Sequence, residues 1–147
     1  MKVREIMSLD VNYCMPNETV ADAAKKMNEF HIGSIPVCDE SKSIVGIITD
    51  RDITLRCVAT GKDANITPTS EIMTTNVGCC KSDADLQVAT KLMSDYQVRR
   101  IPVLEKNKLV GILTLGDIAK SRNVSAKEVA DTVENICKSE SNAKNDW

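Results

Sequence analysis

Two threonine–aspartate pairs at one spacing carry the chemistry this sequence offers. Thr49 and Asp52 close the stretch SIVGIITDRD, and Thr114 and Asp117 close its near copy KLVGILTLGD. In each copy the pair follows a short apolar run, rich in β-branched residues and broken by one glycine. Such a run is too short for an ordinary helix and is bounded by turn formers, so it is expected to be a buried strand, with a helix after each aspartate. A hydroxyl and a carboxylate at a strand-to-helix corner can hold hydrogen-bond donors from a bound molecule. Their simpler use is to cap the helix that follows.

Other reactive groups are sparse. His31 is the sole histidine, and none of Cys14, Cys38, Cys57, Cys79, Cys80 and Cys137 forms a Cys-x-x-Cys pair or stands at zinc-ligand spacing from it. No metal site is expected, and the thiols are expected to be reduced, small apolar fillers. Cys79 and Cys80 are adjacent, but neighbouring strand residues point to opposite faces, which argues against a redox pair. No nucleophile–base pair stands at readable spacing, and no Gly-x-x-x-x-Gly-Lys-Ser/Thr loop occurs. An enzyme is therefore not expected.

Composition narrows the class further. With 147 residues, 42% apolar and 27% charged, the chain can bury a core and does not read as disordered. A net charge of −2 without a clustered basic face argues against nucleic-acid binding. No apolar run approaches membrane-spanning length and no apolar leader region follows Met1, so a cytoplasmic protein without a membrane span is expected.

The elements that must position the two pairs are themselves duplicated. Glu5-Ile6-Met7 returns as Glu71-Ile72-Met73, and Ser34-Ile35-Pro36-Val37-Cys38 aligns with Arg100-Ile101-Pro102-Val103-Leu104. Val11–Cys14 and Val77–Cys80 are β-compatible. Thr19 is a plausible N-cap, with Asp22 placed to return the bond, for a helix with the stripe Val20, Ala23, Ala24, Met27 and Phe30. Its copy follows Asp85, with Leu86, Ala89, Leu92, Met93 and Tyr96. Each proline belongs at a strand start or on an edge. The first closing helix is expected to run from Asp52 to about Thr60, with Gly61 at C′ and 59–69 as linker. Ser125-Ala126-Lys127-Glu128 is a capping box for a last helix with Val129, Val133, Ile136 and Cys137 on one face. Residues 139–147, with Trp147, are polar and expected to fray. The organisation expected is 1–66 as unit one with its linker, 67–124 as unit two, and 125–147 as helix and tail.

This tandem pattern resembles a pair of CBS domains, the Bateman module, over Val3 to about Arg122. The residues that carry the resemblance are the two Ile-Pro-Val segments, each preceded by an amphipathic helix. Each is followed by Val-Gly-Ile-Ile/Leu-Thr-x-x-Asp, ending at Asp52 or Asp117. The resemblance implies an α/β (α+β) fold of two β-α-β-β-α units packed through their sheets with pseudo-two-fold symmetry. It also implies two clefts for adenosine-containing ligands: AMP, ADP or ATP, alternatively S-adenosylmethionine or NADH, with no cofactor required. A regulatory homodimer is implied, acting on a separate enzyme or transporter; the alternative is a ligand-independent dimerisation scaffold.

On that resemblance Asp52 and Asp117 each grip the two vicinal hydroxyls of a ribose, at charge-assisted strength. Thr49 and Thr114 add a hydroxyl, and backbone N–H groups opening the next helix favour phosphate. With so few aromatic residues, aliphatic walls must sandwich the base. These walls are Met7, Val11, Asn12, Ile32, Gly33, Ser34 and Pro36 in unit one, and Met73, Val77, Gly78, Val98, Arg99, Arg100 and Pro102 in unit two. The family pattern pairs the base wall of one unit with the Thr/Asp pair of the other. The preferred nucleotide cleft therefore combines Arg99 and Arg100 with Thr49, Asp52 and neighbouring Arg51. The cleft with Thr114 and Asp117 is expected to hold a less charged adenosine ligand or none.

Overall fold

The computed structural model describes residues 1–140; Trp147 and the rest of the polar end lie outside the described residues. Helix α1 (Val20–Phe30) opens on the box read from the sequence. The Asp22 N–H donates to Thr19 Oγ1 (3.2 Å) and the Thr19 N–H to Asp22 Oδ2 (3.1 Å). Strands β1 (Ser34–Cys38) and β2 (Ile44–Thr49) pair antiparallel, with Ser34 opposite Thr49. β2 leads directly into α2 (Asp50–Asp52), which continues as a π-helical stretch, Ile53–Val58. Gly61 then donates to Val58 O and Lys62 to Cys57 O, the bond pair of a left-handed helix stop, with Gly61 at φ 75°.

The second copy supplies β3 (Cys80–Lys81), α3 (Leu86–Tyr96), β4 (Arg100–Glu105), β5 (Lys108–Thr114) and α4 (Leu115–Lys120). Its sheet runs β3-β4-β5, with β3 parallel to β4. The matching strand of the first copy shrinks to a single bridge, Cys14 to Val37. Pro16 gives the reason. Its counterpart Ser82 donates its N–H to Leu104 O (3.1 Å), a bond that proline cannot make. Both closing strands alternate buried and part-exposed residues, so they are half-buried rather than fully buried as their apolar runs suggest.

Two compact units form, and each draws on both copies. One holds Asn12–Val77 and Asn107–Leu109; the other holds Met1–Val11, Gly78–Lys106 and the described residues from Val110 onward. These bounds differ from 1–66, 67–124 and 125–147, because the leading segment of each copy pairs with the closing strand of the other. Ser8 and Ile112 exchange two backbone bonds (2.8 and 3.0 Å), as do Thr74 and Ile47 (both 2.8 Å). The same segments satisfy the first turn of the other copy's helix: Leu86 N–H donates to Met1 O, and Val20 N–H to Thr67 O, both at 2.9 Å. The supposed linker is therefore partly built in, with Thr69 fully buried and its hydroxyl on Glu18 O (2.7 Å).

This pairing explains the glycine inside each apolar run. A Cβ at Gly111 would stand 2.9 Å from Ser8 O, and one at Gly46 would stand 3.0 Å from Thr74 O and 2.6 Å from Met73 Sδ. Only glycine lets the crossing segment lie so close.

Each unit has its own core. In the first, Val20, Ala23 and Met27 of α1 pack with Cys14, Ile35, Val37, Ile48, Cys57 and Ile72. In the second, Leu86, Ala89 and Met93 of α3 pack with Val3, Ile101, Val103, Leu113, Ile118 and Ile136. Ala24, Phe30 and Tyr96, expected on the helix stripes, are exposed. Helix α5 (Ala126–Glu140) opens on the Ser125/Glu128 box (2.8 and 3.1 Å). Its inward face is Val129, Thr132 and Ile136, while Val133 and Cys137 face out. Thr132 sits inside because its hydroxyl bonds back to Glu128 O (2.8 Å), leaving its methyl to pack.

Candidate functional site

Both threonine–aspartate pairs sit where a strand becomes a helix, and both form reciprocal caps. At the first corner the Asp52 N–H donates to Thr49 Oγ1 and the Thr49 N–H to Asp52 Oδ2, each at 3.0 Å. At the second the bonds are 3.0 Å from the Asp117 N–H to Thr114 Oγ1 and 2.8 Å from the Thr114 N–H to Asp117 Oδ2. Capping is therefore real at both corners, and any ligand must use what capping leaves.

The remainder differs. Asp52 is buried, and its carboxylate has two further protein partners that the sequence reading did not name. Thr74 Oγ1 lies 3.3 Å from both carboxylate oxygens, and Arg56 Nη1 lies 3.6 Å from Oδ1. The first-turn donors are consumed as well: Asp50 N–H goes to Gly33 O and Arg51 N–H to Asp50 Oδ1, both at 2.9 Å. A nearby acid, Asp50, thus borders this corner, its carboxylate within contact range of Gly33.

At the second corner Asp117 is half-buried, and its Oδ1 accepts no hydrogen bond among the described residues. Leu115 N–H donates to Arg99 O (2.9 Å), which seats the Arg99 backbone against this turn while its side chain is exposed. The Gly116 N–H is left without an acceptor among the described residues.

The predicted base walls divide between the units. Met73 and Val77 share the unit of Thr49, Arg51 and Asp52, and Met73 packs against Gly46 in β2. Asn12, Ile32, Gly33, Ser34 and Pro36 are in that same unit, with Pro36 buried opposite Ile47. Met7 and Val11 share the other unit with Thr114 and Asp117, Met7 packing against Gly111. Gly78, Val98, Arg99, Arg100 and Pro102 belong there too, Gly78 lying against the Tyr96 ring. Arg99 and Arg100 are thus in the unit of Asp117, and Thr49, Arg51 and Asp52 are in the other, so the expected set draws on both units. The residue before each Ile-Pro-Val strand bonds to the helix that closes its own copy, Gly33 O to the Asp50 N–H and Arg99 O to the Leu115 N–H.

The remaining chemistry is quiet. Burial pushes the Cys14, Cys79 and Cys80 thiols up to about 11, which keeps them protonated and unreactive near neutrality. Cys14, Cys57, Cys80 and Cys137 are thiols and not disulfides. His31 is an exposed left-handed residue ending α1.

Duplicated strand-to-helix acidic corners, each crossed by a segment from the other copy, define a tandem-repeat module. The chain belongs to the CBS-domain family: the CBS domain matches residues 3–58 and again 70–123. CBS domain-containing protein YhcV of Bacillus subtilis is 37% identical over 91% of this chain and 94% of its own length. Hypoxic response protein 1 of Mycobacterium tuberculosis is 34% identical, covering 91% of this chain and 92% of that protein. The crystal structure of Hypoxic Response Protein I with two coordinated zinc ions matches with a TM-score of 0.78 and 34% identity, over 85% of this chain and 100% of that one. The CBS domain pair of protein MJ0100, in complex with 5-methylthioadenosine and S-adenosyl-L-methionine, matches with a TM-score of 0.72 and 31% identity, over 82% and 98%. The mixed α/β architecture is therefore that of a CBS pair. Among the described residues no three His, Cys, Asp or Glu side chains are grouped to hold a metal ion. No described helix is long and apolar enough to cross a membrane.

Proposed function

We propose that this chain is a regulatory module that binds an adenosine-containing ligand at the Thr114–Asp117 corner and has no catalysis of its own. The ligand is AMP, ADP or ATP, or alternatively S-adenosylmethionine or NADH. The observation that carries this reading is Asp117 itself: a half-buried carboxylate, fixed through one oxygen by its own turn, with the other oxygen unengaged among the described residues. Two vicinal ribose hydroxyls fit that acceptor capacity. Met7 and Val11 supply aliphatic surface in the same unit, and Arg99 and Arg100 supply cations for phosphate. The adenosyl ligands of the MJ0100 pair support the ligand class. Occupancy orders the corner and shifts how the module packs as a homodimer, and a separately encoded enzyme or transporter reads the change.

Calorimetry on nucleotide-free protein with AMP, ADP, ATP, S-adenosylmethionine and NADH tests this. At least one is expected to bind tighter than about 1 mM, roughly 4 kcal/mol. Failure of all five rejects the reading.

A further inference from the structure

We infer that Arg56 keeps the Thr49–Asp52 corner closed to a ribose, so that each chain takes its adenosine-containing ligand at one corner rather than two. This rests on the ligand reading above and concerns how many sites that reading allows. Arg56 stands one helical turn beyond Asp52, inside the π-helical stretch Ile53–Val58. Its Nη1 lies 3.6 Å from Asp52 Oδ1 and also donates to Ile72 O (3.2 Å) and Met73 O (3.4 Å). One guanidinium thereby ties the carboxylate to the segment that crosses β2. Thr74, on that segment, lays its hydroxyl against the same carboxylate.

Counting acceptors turns this geometry into a specificity. A carboxylate offers about four acceptor positions. At Asp52 the Thr49 N–H and the Thr74 hydroxyl take two, and the Arg56 guanidinium stands at ion-pair distance (3.6 Å) from Oδ1, the oxygen that the cap leaves; a vicinal diol needs two. At Asp117 the Thr114 N–H takes one. The repeat explains why only one copy is filled. The residue matching Arg56 is Ser121, past the end of α4, and the residue matching Thr74 is Ser8, which is exposed; neither bonds to Asp117. The Asp52 side chain is only 9% exposed, so its attraction to a guanidinium is weakly screened, and neutral hydroxyls compete poorly for it.

The test is binding stoichiometry by calorimetry, with AMP and S-adenosylmethionine as probes, on the full nucleotide-free chain. Wild type and Arg56→Lys are expected to bind one ligand per chain. Arg56→Gln is expected to bind two, the second event disappearing when Asp52→Asn is added. Two ligands per wild-type chain, a count that needs no substitution, overturns the inference and leaves the ligand reading standing. One ligand on folded Arg56→Gln does the same. No binding to either protein overturns the ligand reading and the Arg56 assignment with it. Arg56 is half exposed, and circular dichroism verifies that Arg56→Gln folds.

Discussion

The Thr49–Asp52 and Thr114–Asp117 corners share a motif, a capping geometry and a crossing segment, yet their carboxylates live differently. Asp52 is buried and held by Thr74 and Arg56 as well as its cap, with every first-turn donor consumed. Asp117 is half-buried, held by its cap alone, and its copy brings Arg99 where the first copy has Gly33 beside Asp50. A duplicated motif thus does not bring duplicated surroundings: one carboxylate meets Thr74 and Arg56 besides its cap, and the other meets its cap alone among the described residues. What separates them lies outside the motif, in the residue after the crossing methionine and in the helix after the aspartate.

The strongest way to probe the shared part of the comparison is to block the close approach in each copy. Gly111→Ala and Gly46→Ala are expected to cost about 1–3 kcal/mol each in urea unfolding. The two costs should be similar, because each new Cβ meets a backbone carbonyl, Ser8 O at 2.9 Å or Thr74 O at 3.0 Å, beside a methionine thioether. Equal costs near zero would mean that the segments do not pair as described.

Removing the caps asks whether both corners are structural. Thr49→Ala and Thr114→Ala are each expected to lose about 1 kcal/mol. The loss should be larger at Thr49, since the N–H of the buried Asp52 then loses its acceptor, which water replaces less readily there.

A smaller effect sharpens the charge difference. Arg99→Ala is expected to weaken ATP several-fold while changing S-adenosylmethionine by less than about twofold, an effect under about 1 kcal/mol. Arg51→Ala, at the first corner, should change neither.

The smallest effect separates the helix starts. Thr19 hydrogen bonds hold the Asp22 carboxyl below its ordinary value, and the hydrogen bond from Lys2 does the same for Asp85. Both contributions are complete above the ordinary carboxylate range and are lost as pH falls through the lowered folded values. At neutral pH, molar salt should weaken the Lys2–Asp85 pair and spare the Asp22 box. Urea midpoints of Asp22→Asn and Asp85→Asn with and without salt check this.

Much of the fold was legible in the sequence because its signals are local. The Thr19/Asp22 and Ser125/Glu128 boxes, the stop at Gly61 and the core positions Val20, Ala23, Met27, Leu86, Ala89 and Met93 all appear as read. The exchange of leading segments was not legible: Glu-Ile-Met reveals a repeat but not the copy on which it docks. Pro16 did carry a signal, since a missing donor shortens a strand. At the site, the Thr-x-x-Asp pairs form the strand-to-helix corners that their spacing suggests. Arg56, four residues after Asp52 on a helix, was findable as an acid–cation pair. Thr74 was not, because its contact depends on the crossing segment.

The proposed ligand site depends on Asp117 and not on Asp52. Dissociation constants for the tightest-binding probe, measured by calorimetry on Asp117→Ala and Asp52→Ala, test it most directly. Asp117→Ala is expected to bind at least about tenfold more weakly than wild type, roughly 1.4 kcal/mol or more, and Asp52→Ala to stay within about twofold. The opposite ranking would contradict the account.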